Sequence, residues 1–334
     1  MADAILGNPL EEFSLIARLI AKLPQSRQTI LGPGDDCAIL APAQKSQIVT
    51  VDSMVEGVHF KIEWTTPEAL GARSLTVNLS DIAAMGGRPR AGVINLAIRP
   101  GLGLRFFDRL YAGLAKEAAA AKIDIVGGNI TRASELAITI TVMGEVPDGA
   151  MRRDTARAGD EIYVTGTAGD AAAGLRILDG EMRARGRHRA YLVNRYLSPS
   201  ARLEAGRRLA RMLPLPSAID VSDGLAQDLG HVLERSGVGA EVEAAAIPRS
   251  EAYRAVVGDD LALALGGGDD YELLFCLRRG ESAAVLSRRL GVAVSRIGRI
   301  VSGRQVRLIG AGGKRQRTLG VTGGVAGWNQ LREH

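Results

Sequence analysis

The chain has 334 residues, 46% of them apolar and 24% charged, with a net charge of +5. It is too long for one comfortable core, so two domains of ordinary size are the default, and its composition is that of a globular protein. No apolar stretch approaches membrane-spanning length, the N-terminus "MADAILGNPL" lacks a basic targeting region, and two cysteines far apart exclude a disulfide framework or a zinc site.

Aromatics are only 4%, so the core must be built from Ala, Val, Leu and Ile, and 41 glycines point to many tight turns and close backbone approaches. Cys37 and Cys276 lie in apolar runs and read as small buried hydrophobes in a reducing, cytoplasmic compartment. The arginine-rich "RARGRHRAYLVNR" (Arg183 to Arg195) reads as a solvated helix face, since no nucleic-acid recognition motif accompanies it.

In chain order, Asn8 is an N-cap, Pro9 the first helical position, and "FSLIARLIAKL" the helix they start. "SQIVTVD" reads as a strand ending on Asp52. "PEALGARSLTVNLSDIAAM" has helical spacing, with Leu75, Leu79 and Ile82 on one side and Asn78, Asp81 and Met85 on a neighbouring face. The strand "AGVINLAI", the helix "FFDRLYAGLAKEAAAA", the strand "IDIVGGN" and the alternating "LAITITVMGEV" follow. The polar, aperiodic "PDGAMRRDTARAGD" marks the boundary between domains 1–148 and 149–334. Beyond it come strands ("EIYVTG", "SAIDVSD", "YELLFCL", "SRIGRI") and helices ("AAAGLRILDGEM", "ARLEAGRRLARML", "GLAQDLGHVLERS"). Both halves are therefore mixed α/β, an α+β two-domain chain without a fixed-period repeat.

Acidic residues recur on turns beside apolar runs: "GPGDDCAIL", "VTVDSMVEGVHF", "NLSDIAAMGG", "IDVSDGLAQDL" and "LGGGDDYELLF". Taken singly, each has a plain explanation, such as a solvated turn, or Ser222 and Asp223 as an N-cap pair for the next helix. Five together exceed the one or two carboxylates that acid–base work needs, and fit the holding of hard cations such as Mg²⁺, which take oxygen ligands. Rival chemistries are thin. The histidines are His59, His188, His231 and His334, with no HExxH, Cys-x-x-Cys or G-x-S-x-G; Gly313-Lys314 is followed by Arg315, so there is no Walker A loop.

"GDDCAIL", "VDSMVEGVHF", "TVNLSDIAAMGG", "GGNIT", "IDVSDGL" and "GGGDDYELLF", in this order and spacing, closely resemble the thiamine-monophosphate kinases, a family of the aminoimidazole-ribonucleotide synthetase (PurM-like) superfamily. The resemblance runs from about residue 12 to Trp328. It implies a PurM-like N-terminal domain that dimerises through its strands, a PurM-like C-terminal α/β domain, and transfer of the ATP γ-phosphoryl to thiamine monophosphate. ATP and a phosphate monoester together carry roughly six negative charges, which several Mg²⁺ ions would offset. By that resemblance Asp36, Thr50, Asp52, Asp81, Asn129, Asp220 and Asp223 are the metal ligands. Gly128, Asn129, Arg153 and Ser222 contact ATP, and His59, Asp269 and Trp328 contact the acceptor.

No general base is implied, because the attacking phosphate is largely ionised at neutral pH. Three residues depart from the family pattern. Asn129 replaces an Asp, and its amide oxygen coordinates Mg²⁺ more weakly. Val51 replaces a Thr, and Asp269 replaces a Glu one methylene longer. Other readings are a related ATP-dependent synthetase, against which stands the lack of a C-terminal or glycine-rich reactive cysteine, and a nucleotide-binding regulatory protein without turnover. A nucleic-acid binder is more remote.

Overall fold

The computed structural model describes residues 12–33, 37–278, 281–310 and 315–319. The chain forms two compact units: Met1–Leu79 with Pro89–Glu145, and Ser80–Arg88 with Val146–His334. Each is mixed α/β, as the alternation of periods predicts.

The first unit holds α1 (Glu12–Ile20), a small ribbon of β1 (Thr29–Leu31) and β2 (Ile39–Leu40), β3 (Ser46–Val55), most of α2 (Pro67–Ala84), β4 (Arg88–Ile98), α3 (Leu104–Ala121), β5 (Asp124–Arg132) and β6 (Ala137–Val146). The caps expected at Asn8 and Pro9 lie outside the described residues. Four strands pair in the order β3-β6-β4-β5, so β3 and β5 are opposite edges. One sheet face is covered. Alternate residues of β6 (Ile138, Ile140, Val142) are buried, as are Phe107, Leu110, Leu114 and Ala118 of α3, spaced three and four apart. The other face keeps Val49 and Val51 of β3 at 70% and 58% exposure. Asp124, 3% exposed, ties β5 to the β1 approach, its Oδ2 accepting from the backbone and hydroxyl of Ser26 and from Thr29 Oγ1 at 2.7–2.9 Å.

The second unit adds β7 (Asp160–Thr165), α4 (Asp170–Leu178), α5 (Gly186–Leu197), α6 (Leu203–Leu209), β8 (Ser217–Val221), α7 (Leu225–Ser236), β9 (Gly239–Glu243), α8 (Glu251–Val256), α9 (Ala262–Gly266), β10 (Glu272–Arg278), α10 (Ala283–Leu290), β11 (Val294–Val301), β12 (Val306–Ile309) and β13 (Arg315–Leu319). Seven strands pair in the order β13-β12-β9-β11-β7-β10-β8. Strand alternation divides the core in two. Ile162, Val164, Ile219, Val221, Leu274 and Cys276 pack with α4, α7, α8 and α9. Tyr163, Ala218, Leu273, Phe275 and Leu277 pack with α6, α10 and with Ala83 and Ala84 from the end of α2. Tyr163 and Phe275 stack at 5.4 Å.

Three expectations need correction. Cys276 is buried, but Cys37 is exposed, because its neighbours belong to the two-residue β2 and not to a core strand. The arginine-rich helix α5 is not solvated throughout: the Arg195 side chain is only 13% exposed and pairs with Glu272 at 3.0 Å. The helix after Ser222 and Asp223 is capped by neither side chain; Gly224 is its N-cap residue. Among the described residues no helix is long and apolar enough to cross a membrane.

Candidate functional site

In the first unit, Thr50 and Asp52 occupy alternate positions of edge strand β3, both half-buried, while Val49 and Val51 face the other way. An edge strand has unpaired N–H groups. At Asp52 that donor is met by Asn78 Oδ1 at 3.0 Å, and Asn78, fully buried in α2, donates its own Nδ2 to Ser74 O at 3.1 Å. Helical spacing groups Asn78 with Asp81; its contact with β3 is long-range and has no local signature.

His59 folds onto its own turn. Its Nδ1 accepts from the Val55 N–H at 3.1 Å, which leaves the ring proton on Nε2. On the far edge, β5 runs parallel to β4 with Gly128 opposite Ile94 and Asn129 opposite Asn95. A Cβ on Gly128 would lie 2.1 Å from the Ile94 carbonyl oxygen, so the glycine is required for strand contact whatever it does to a nucleotide. Asn129 is exposed and its Nδ2 donates to Asn95 Oδ1 at 3.0 Å.

The second unit gathers most of the remaining residues. Asp220, 3% exposed near the end of β8, accepts a hydrogen bond from Ser80 at 2.8 Å, and Ser80 precedes Asp81 on α2. Ser222 and Asp223 follow β8. The turn carrying Gly268 and Asp269 is bonded to them, the Asp269 N–H donating to Ser222 O at 2.8 Å. Burial pushes the Asp223 carboxyl above its usual value and Asp269 adds to the effect, while His231, Gln227 and Arg153 oppose it. Asp223, Asp269, Arg153 and His231 therefore share one electrostatic neighbourhood. Arg153 itself is exposed, and its carbonyl accepts from Ser236 Oγ at 2.8 Å.

Asp228 carries no signal in the sequence that marks it as a site residue. It is 2% exposed, and its Oδ2 accepts from the N–H groups of both Asp223 and Gly224 at 3.1 Å, shaping the loop that presents Asp223. Burial, then Asp220 and Asp223, push its carboxyl well up. Asp223, Asp228 and His231 offer ligand atoms within 4.8 Å of one another. Crowded carboxylates with raised proton affinity are what a divalent cation stabilises; the Asp223 and Asp228 oxygens suit Mg²⁺, whereas the His231 nitrogen does not. Asp36 and Trp328 lie outside the described residues.

Two family models match the chain: AIR synthase related protein, N-terminal domain, over residues 34–146, and AIR synthase related protein, C-terminal domain, over residues 157–311. The fold and its carboxylate-lined loops thus place the chain among the AIR synthase related proteins. A curated relative, the thiamine-monophosphate kinase of Salmonella typhimurium, is 40% identical over 302 residues, covering 86% of this chain and 90% of the relative. The crystal structure of thiamine-monophosphate kinase from Stenotrophomonas maltophilia K279a matches with a TM-score of 0.80 at 38% identity, over 92% of this chain and 98% of that one. A structure of AaThiL complexed with AMPPCP and TMP matches with a TM-score of 0.73 at 30% identity, over 96% of both chains. The chain belongs to the thiamine-monophosphate kinase family.

Proposed function

We propose that the protein transfers the γ-phosphoryl group of ATP to the phosphate of thiamine monophosphate, giving thiamine diphosphate and ADP. A phosphate oxygen of the acceptor forms the new P–O bond as the bond from the γ-phosphorus to the β–γ bridging oxygen breaks. The acceptor needs no base to lose a proton, since its second pKa lies near 6. The observation that carries the reading is the loop pair joining Ser222 and Asp223 to Asp269, where carboxylates converge.

We assign Asp36, Thr50, Asp52, Asp81, Asn129, Asp220 and Asp223 as Mg²⁺ ligands, Gly128, Asn129, Arg153 and Ser222 to ATP, and His59, Asp269 and Trp328 to the acceptor. Bound Mg²⁺ would neutralise phosphate charge. The chain's own part is alignment: Asp228 and Asn78 hold the backbone at Asp223 and Asp52, and Arg153 brings a positive charge to the Asp223 loop. The residues from 1 to 148 would supply ATP and metal contacts and the dimer face, and those from 149 to 334 would complete the site.

A homodimer fits the first unit's sheet. Val49 and Val51 are large, exposed and apolar on its open face. Thr50 and Asp52 also lie on the edge opposite Gly128 and Asn129, three strand spacings of about 4.8 Å away. That span exceeds one cation's coordination sphere, so a second copy would help to unite the two edges. Two free cysteines suit a reducing, cytoplasmic compartment. Incubation with ATP and Mg²⁺ should give thiamine diphosphate from thiamine monophosphate and none from thiamine, read by chromatography. Equal use of thiamine, or no product with Mg·ATP bound, contradicts the proposal.

A further inference from the structure

The chain enters the left-handed backbone region twice between Gly268 and Glu272. Among the described residues three non-glycine positions have positive φ: Lys122 at 58°, Asp269 at 67° and Tyr271 at 52°. Lys122 closes α3 as its C-cap, an ordinary use. Asp269 and Tyr271 cap no helix. A conformation of this kind, for a bulky tyrosine above all, persists only where its surroundings impose it.

The surroundings are specific. The N–H groups of Asp269 and Tyr271 donate to Ser222 O and Val221 O, both at 2.8 Å. The alternate side chains are anchors. Asp270, 1% exposed, accepts from the Gly169 and Ala171 N–H groups at 2.5 and 3.2 Å, at the start of α4. Glu272, also 1% exposed, accepts from Thr165 Oγ1 at 2.7 Å, Arg202 Nε at 2.6 Å and the Arg195 guanidinium at 3.0 Å. Arg195 reaches the Asp270 carbonyl as well, at 3.4 Å. The other two side chains meet each other: the Tyr271 hydroxyl donates to Asp269 Oδ1 at 3.0 Å, and Tyr271 is only 8% exposed.

We propose that Tyr271 is a positioning residue for the phosphate acceptor, its hydroxyl holding the Asp269 carboxylate in the one orientation that meets the bound thiamine moiety. The inference rests on the assignment of Asp269 to thiamine monophosphate made above. A carboxylate suits the cationic thiazolium or the aminopyrimidine N–H donors and repels the phosphate. Aspartate is a short acid, so its reach depends on its aim. Two strained residues, two backbone hydrogen bonds and the buried anchors Asp270 and Glu272 fix that aim, and the Tyr271 hydroxyl completes it.

The test compares wild type, Tyr271→Phe, Asp269→Asn and the double variant as full-length proteins, with equilibrium binding of thiamine monophosphate alongside kinetics. Tyr271→Phe should raise the KM for thiamine monophosphate about tenfold, the value of one hydrogen bond to a charged group. The KM for ATP should stay within about twofold and the unfolding midpoint should barely move, because the ring remains in place. The double variant should be no worse than Asp269→Asn, since the tyrosine acts through that carboxylate. An unchanged acceptor KM in Tyr271→Phe, equal losses for ATP and acceptor, or multiplying effects in the double variant would each overturn the inference alone. A wild type that makes no thiamine diphosphate overturns the functional reading, and this inference with it.

Discussion

Gly268→Ala probes the interlock between the two loops of the second unit. A Cβ at residue 268 would sit 2.3 Å from the Ser222 carbonyl oxygen, 3.3 Å from its carbon and 3.5 Å from the Asp223 carbonyl carbon. A relaxed carbon–oxygen contact needs about 3.3 Å or more, so one loop must retreat by about 1 Å. Neither retreats freely, since the Asp269 N–H holds Ser222 O and the Tyr271 N–H holds Val221 O, each at 2.8 Å. Overpacking of this kind costs about 1–3 kcal/mol, and a displacement of about 1 Å in a positioning loop costs about a hundredfold in rate. We expect kcat/KM for ATP to fall about a hundredfold while the protein stays folded, with a midpoint only a few degrees lower by differential scanning calorimetry. A Gly268→Ala protein with wild-type kcat/KM would refute the argument that these loops are held in one register for catalysis.

Asp228→Ala removes the acceptor of two backbone N–H groups and should cost about 2–4 kcal/mol by urea denaturation, whereas Asp228→Asn keeps an acceptor oxygen and should lose much less. Equal stability of the two variants would show that the carboxyl does not hold the Asp223 loop. Burial pushes the Asp270 carboxyl up to about 8 from 3.8, with Arg195 and the N–H groups of Gly169 and Ala171 opposing. The folded state therefore holds that proton more tightly than the unfolded state. Its stabilisation is complete below about pH 4 and is lost as pH rises through about 8. Wild type should accordingly lose more stability than Asp270→Asn between pH 5 and pH 9, and parallel pH profiles would contradict this. Asn129→Asp adds a charge to the proposed metal set, about 2 kcal/mol against a divalent ion at 4 Å in water, and should lower the half-saturating Mg²⁺ concentration about thirtyfold. An unchanged Mg²⁺ titration would remove residue 129 from the ligand set.

Much of this architecture is legible in the sequence. The 3.6-residue spacing of Leu75, Leu79 and Ile82 marks α2, and all three are buried. The strand "SQIVTVD" is β3, which continues to Val55 because Met54 still finds the core. Short elements such as β9, α9 and α10 escaped because five to eight residues carry too little periodicity. The acidic motifs are legible in the sequence, but the division of labour among them is not. "DDYE" looks uniformly acidic, yet Asp270 and Glu272 are internal anchors while Asp269 pairs with Tyr271, a split produced by two left-handed residues that propensity does not foresee. Arg195 was lost among its exposed arginine neighbours, because its partner Glu272 is 77 residues away. Gly128 looked like a place for a phosphate, and its immediate demand is a neighbouring carbonyl.

The central claim, direct transfer of the terminal phosphoryl group onto the phosphate of thiamine monophosphate, is tested most directly with ATP labelled in the γ-phosphate. Direct transfer puts the label in the terminal phosphate of thiamine diphosphate, with one ADP per diphosphate formed and both dependent on Mg²⁺. Label released as inorganic phosphate while thiamine monophosphate is left unchanged would contradict it.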